Sequence, residues 1–164
     1  MLAMAYCAMI ADGSIRQVFH QAEPDIKWFL SWMTEQESVI IGAYRKQLES
    51  DAVTLCGMGF INSIQRLAGL TKAEVGFSFW SPMAPMIFMK AELVRRMLDY
   101  AFEFSGLDSL TGLTPERNPG AVAMIRRVGM RVFGPVPRYC SWHGEACGAY
   151  ISQMDAESWL NRQP

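Results

Sequence analysis

Only two of the 164 residues are histidine, the four cysteines form no C-x-x-C pair, and acids and bases nearly cancel, to a net charge of −1. Each shortage excludes something. Without histidines at zinc spacing beside Cys7, Cys56, Cys140 or Cys147, no metal site is expected. A charge near zero gives phosphate backbones no electrostatic footing, so nucleic acid is not an expected partner. No apolar run reaches the roughly 20 residues of a membrane-spanning helix, so no membrane partner is expected either. The apolar start, MLAMAYCAMIA, is short and lacks a basic leader. It is read as a packed first helix rather than a signal peptide, which makes the cytoplasm the expected compartment. Cys140 and Cys147 flank a glycine-containing turn. They can face each other across a hairpin, or stay as separate buried thiols, the usual state in a reducing compartment.

Half of the chain is hydrophobic and 19% is charged, which fits one globular domain over residues 1–164 with a real core. Twelve methionines are read mainly as gap-fillers in that core. Patterning then orders the elements. Residues 14–20 read as a short strand. Glu23-Pro24-Asp25 opens a helix whose Ile26, Phe29, Leu30 and Met33 make the buried stripe. Strands follow over Ser38–Tyr44, Ala52–Ile61 and Ala73–Trp80, with 62–72 as a connection or a wide hairpin. A loop rich in Met and Pro spans 81–90. Ala91–Phe104 is an amphipathic helix, apolar at Leu93, Val94, Met97, Leu98, Ala101 and Phe102 and closed by Gly106. A strand over 108–114, a helix over 119–128, a strand over 130–134 and a hairpin turning near His143-Gly144 complete the order. Strand 146–154 returns, and 155–160 is a short helix or turn. This is an α/β arrangement of the α+β kind, a mixed sheet with helices on both faces.

The most informative stretch is Asp108–Gly134. Asn118 is a good N-cap, because its side chain accepts from the orphan amides of the first turn. Pro119 sits at N1, where its missing N–H costs nothing. Ala121, Met124, Ile125 and Val128 repeat at helical spacing, and Gly129 stops the helix in the left-handed region. The order N-x-x-A-x-x-Φ-Φ-R-R-x-G-Φ, with Φ apolar, resembles the C-terminal half of GNAT-superfamily N-acetyltransferases, most of all the ribosomal-protein alanine acetyltransferase type. Ala73-Glu74-Val75-Gly76-Phe77 and Glu92 through Phe102 extend the resemblance, which covers roughly 38–160 and leaves 1–37 a weakly matched helical region. The kept T-P-x-x-N-x-x-A segment and Gly134-x-x-Pro137 are also similar to divergent members found in bacteriophages.

The resemblance implies a GNAT-like, mostly antiparallel sheet whose fourth and fifth strands, Ala73–Trp80 and Ser109–Thr114, splay apart. It implies acetyl-CoA as co-substrate, its pantetheine arm in the gap and its pyrophosphate at the start of helix Ala91–Phe104. Phe77, Ser78, Phe79, Phe88, Met89, Lys90, Ala91, Asn118 and Ala121 would line the cofactor, with a bulge-freed backbone amide near Phe77–Phe79 polarising the thioester carbonyl. Here the sequence departs from the family. The phosphate loop before the central helix is glycine-rich, yet Pro85–Lys90 holds no glycine and Pro85 offers no N–H. Lys90, Arg95 or Arg96 would supply the missing attraction.

The reaction implied is attack of a primary amine on the thioester. Glu74 is the candidate base, with a salt-bridged strand-end acid as the other reading. The family's tyrosine acid is replaced by Ile125. Tyr139, placed in a loop after Pro137, and Ser141 are candidates to protonate the leaving thiolate, against a packed tyrosine and a hydroxyl bonded to local backbone. His143 reads as a solvated hairpin tip and His20 as a core residue. Trp28, Trp32 and Trp80 read as core, with Trp80 able to line a pocket mouth. The competing functional reading is a catalytically degenerate member whose apolar loop 82–90 docks a second copy or another protein.

Overall fold

The structure is a computed structural model that describes residues 2–13, 15, 25–34, 37–46, 52–80 and 87–162. The expected strand at 14–20, apart from the buried Ile15, lies outside the described residues, as do His20, the Glu23-Pro24 helix opening, most of the apolar loop, 81–86, and the side chains of Phe88 and Met89. The described helices are α1 (Leu2–Asp12), α2 (Ile26–Thr34), α3 (Ile87–Asp99), α4 (Pro119–Arg127) and α5 (Ala156–Leu160); the strands are β1 (Val39–Lys46), β2 (Val53–Leu67), β3 (Leu70–Phe79), β4 (Ser109–Pro115), β5 (Arg131–Trp142) and β6 (Glu145–Asp155). The six strands form one sheet in the order β1-β2-β3-β4-β6-β5. Every neighbouring pair is antiparallel except β3 with β4, which is parallel.

Helices cover both faces, each over its own apolar cluster. On one face α1 and α2 pack Ala5, Met9, Phe29 and Met33 against Met58 and Phe60 of β2 and against Trp80. On the other, α3, α4 and α5 pack Val94, Met97, Leu98, Met124, Ile125 and Trp159 onto β2, β3, β4 and β6. The period-2 alternation of strands explains the split. Met58 and Phe60 join the first cluster and Ile61 the second, while in β3 Ala73 and Val75 face the second.

Local chemistry sets the boundaries. The Asn118 side chain accepts from the Ala121 amide at 3.1 Å and Pro119 occupies the first turn of α4. Gly129 closes that helix at φ 90°. Asp155 caps α5 by accepting from the Ser158 amide at 2.7 Å.

Four elements differ from the sequence reading. Residues 62–72 are a tight hairpin: β2 runs to Leu67, Ala68 and Gly69 turn with φ 43° and 89°, and β3 starts at Leu70. Two positive φ values fit the right-handed twist of the flanking strands, and Ala at the first of them hides the turn from composition. The central helix begins at Ile87, inside the stretch 81–90 expected as a loop. Its last turn, Tyr100–Phe104, is a π-helix in place of regular α-helix. Finally, β5 runs on to Trp142, with register breaks between Phe133 and Val136 and between Val136 and Cys140. Pro135 and Pro137 cannot donate to a ladder, and the breaks sit where they interrupt it.

Candidate functional site: a cleft where the sheet parts

Strands β3 and β4 stay paired for three residues only, Lys72 with Ser109, Ala73 with Leu110 and Glu74 with Thr111. Beyond that point each strand keeps its outer neighbour. The β2 register continues unbroken to Gly57 opposite Phe79, and the β6 register to Pro115 opposite Ala149. The facing edges of β3 and β4 therefore diverge into a V, as the splay of the fourth and fifth strands requires. Gly112 marks the vertex. A Cβ there would stand 3.1 Å from the Val75 carbonyl oxygen and 3.0 Å from Ser152 Oγ.

Which backbone groups face the opening follows from the ladder. The Trp80 amide donates to the Cys56 carbonyl at 3.0 Å. In an antiparallel pair, residues alternate between bonding the partner strand and pointing away. Ser78 and Gly76 thus bond toward β2, and Val75, Phe77 and Phe79 point toward β4. The Asp108 amide bonded to the Thr71 carbonyl agrees with this phase. By the same argument the Glu116 amide on the Gly148 carbonyl turns Leu113 into the gap. Among the described residues, the amides and carbonyls of Phe77, Phe79 and Leu113 lie outside the ladders and form a free edge on each side. No bulge interrupts β3 between Val75 and Phe79. The parting of the strands, and not a bulge, frees these amides.

A cavity of about 810 Å³ fills the V and reaches both faces of the sheet. On the α3–α4 side it is lined by Phe77, Phe79, Lys90, Val94, Met124 and Ile125, and by Asn118, Gly120 and Ala121 at the start of α4. Lys90 places its ammonium 5.2 Å from the centre of the Phe79 ring. Arg95 and Arg96 are not part of this lining. Both pair with Glu92, at 3.2 and 2.8 Å, on the exposed side of α3. That leaves Lys90 as the lining cation among the described residues.

On the opposite face the lining is Trp28, Trp32, Phe60, Glu74, Thr111 and Leu113. Trp28 stacks on Trp32 at 6.0 Å, and Trp32 meets the Phe60 ring edge-on at 5.2 Å. Phe60 lies against β3 because Gly76 has no side chain; its ring occupies the place of a Cβ there. Glu74 is exposed and directly opposite Asn62 of β2.

Of the expected site residues, the cavity thus gathers Glu74, Phe77, Ser78, Phe79, Lys90, Asn118, Ala121 and Tyr139. Tyr139 is 54% exposed and stands on a strand, not in a loop. Ser141 and the buried Ala91 are not among the lining residues, and neither is Trp80, which is 5% exposed and part of the core. The Ser78 hydroxyl is buried without a hydrogen-bond partner among the described residues. Trp28 and Trp32, read from sequence as core, both line the cavity; Trp32 also packs against the first apolar cluster, while Trp28 is exposed. Their signal was present: with Ile26, Trp28, Phe29, Leu30, Trp32 and Met33, α2 is apolar around more of its circumference than one buried stripe needs.

Cys140 and Cys147 face each other across the terminal hairpin with sulfurs 3.3 Å apart, both free thiols. Among the described residues no cluster of three or more His, Cys, Asp or Glu side chains is placed to hold a metal ion. No described helix is long and apolar enough to cross a membrane.

No protein-family model matches the chain, and no curated protein matches it by sequence. Solved structures do match its shape. Spermidine N-acetyltransferase from Vibrio cholerae, in complex with CoA and spermine, superimposes with a TM-score of 0.72 at 16% identity, over 90% of this chain and 86% of that one. A dodecameric form of spermidine N-acetyltransferase from the same organism gives 0.60 at 21% identity, over 68% of this chain and 63% of that one. Ribosomal-protein-S5-alanine acetyltransferase from Vibrio fischeri gives 0.57 at 18% identity, over 68% and 58% of the two chains. At such identities the likeness is one of backbone architecture, and with the parted strands β3 and β4 it establishes that this chain has the GNAT acetyltransferase fold.

Proposed function

We propose that the chain transfers an acetyl group from acetyl-CoA to a primary amine. The observation that carries this reading is the V between β3 and β4, with the free-edge amides of Phe77 and Phe79 on one wall and a cavity running through the sheet. An extended thioester arm fits such an edge as an added strand does. Asn118, Gly120 and Ala121 at the start of α4, with Lys90 on α3, would border the arm and its phosphates. Acetyl-CoA supplies the activated carbonyl. The chain's own groups act around it: an amide of Phe77 or Phe79 donates to the carbonyl oxygen as negative charge develops there. Glu74, on the Trp28–Trp32 side, takes the proton that the attacking amine loses as the C–N bond forms and the C–S bond breaks. Tyr139, at the cavity rim, is the candidate to protonate the thiolate.

A degenerate, non-catalytic member is the second reading, favoured by the glycine-free Pro85–Lys90 segment. Its expected docking loop, 82–90, is in part the helical first turn of α3. Calorimetry and thiol release separate the readings. Acetyl-CoA at 100 times its Kd stabilises the fold by about 2.7 kcal/mol if it binds the native state alone. Glu74→Gln keeps that binding and lowers turnover about 100-fold or more, the usual contribution of a general base. No melting shift at millimolar acetyl-CoA contradicts the transferase reading, and unchanged turnover clears Glu74 of the base role.

A further inference from the structure

We infer that the acceptor is a monoamine carrying a flat apolar group, and not a polyamine. This rests on the acyl-transfer reading and names the substrate class of the same cavity. The mouth opposite α3 and α4 presents three contiguous rings, Trp28 on Trp32 at 6.0 Å and Trp32 against Phe60 at 5.2 Å. Such rings stack on an aromatic or other planar group and attract a nearby ammonium through their faces. Among the described lining residues the only carboxylate is Glu74. It neutralises one positive charge. A second ammonium, further along a polyamine, meets no second carboxylate among the described lining residues, whereas a flat apolar group gains contact with the rings.

Spacing fits the same occupant. Phe60 lies opposite Gly76, and Glu74 is two residues from Gly76 on the same face of β3. Two residues of strand span about 7 Å. A short alkyl tether between a ring and an amine covers that distance, with the ring against Phe60 and Trp32 and the nitrogen at Glu74. The nitrogen then faces the V, where the Phe77 and Phe79 amides point.

Two measurements test this on the whole chain. In a thiol-release assay with saturating acetyl-CoA, kcat/KM for 2-phenylethylamine exceeds that for spermidine and for n-butylamine by about tenfold or more, the effect of one well-placed aromatic contact. Trp28→Ala and Trp32→Ala lower the 2-phenylethylamine value by a clearly larger factor than the n-butylamine value, about tenfold in the ratio of the two, a split that general loss of fold would not produce. Tryptophan fluorescence read during titration with 2-phenylethylamine reports binding without turnover; a saturable change, diminished in Trp28→Ala, supports the inference. Spermidine as the better substrate overturns it and leaves acyl transfer standing. Acetyl-CoA binding with no saturable response to 2-phenylethylamine overturns it as well, and no binding of acetyl-CoA at all removes the reading on which it rests.

Discussion

A missing side chain at Gly76 lets the Phe60 ring lie against β3, where it becomes part of the cavity wall. Such residue-scale effects divide into those local sequence reveals and those it does not. The Asn118 cap, Pro119 in the first turn and Gly129 at φ 90° were legible, because each answers a need of its own helix. The Trp28–Trp32–Phe60 wall was legible only in the apolar breadth of α2, because Phe60 comes from a second element that only tertiary packing brings to it. The thiols follow their surroundings too. Burial first, then the hydrogen bond and charge of Cys147, push the Cys140 thiol up to about 12. Only the thiolate reacts. Iodoacetamide at pH 8 should therefore modify the exposed Cys7 well before Cys140, as peptide mass mapping over time would read. Equal rates at the two positions would contradict this account of the hairpin.

At the scale of elements, and among the described residues, pattern predicted strands and helices where apolar periodicity was unbroken and failed where turn chemistry was unusual. The Ala68-Gly69 hairpin lacks the Asn or Asp that advertises such turns, and Pro135 and Pro137 disguised the long strand β5. The π-helical turn Tyr100–Phe104 continues an apolar spacing that reads as ordinary α-helix. Helix α5 was legible as a short C-terminal element, and its cap makes a pH-dependent prediction. The hydrogen bonds from Ser158 to Asp155, with Arg131 adding attraction, hold this carboxyl below its ordinary value. A carboxyl depressed in the folded state stabilises it fully above the unfolded value, about 4, and loses that contribution as pH falls through the folded value. Asp155→Ala should cost about 1 kcal/mol near neutrality, the usual worth of an N-cap. In urea melts the gap between the two proteins should stay constant above about pH 5 and close on acidification. A gap that widens as pH falls would show the carboxylate to be destabilising.

For the whole molecule, the mixed sheet and the splay were implied by a resemblance of motif order, and the geometry carries them. Three paired residues hold the vertex, and two diverging edges open on a cavity that passes from the Lys90 side to the tryptophan side. The glycine-free approach to α3 was legible as a departure, yet where the phosphates would rest depends on residues 81–86, outside those described. The central claim is that the free edge of β3 is a docking edge for a thioester arm. Amide hydrogen exchange at Phe77 and Phe79, followed by NMR with and without CoA, tests it most directly. Both amides should exchange quickly in the free protein and become at least about tenfold slower when CoA saturates the cavity, as newly hydrogen-bonded strand amides do. Slow exchange already in the free protein, or rates that CoA leaves unchanged, would contradict it.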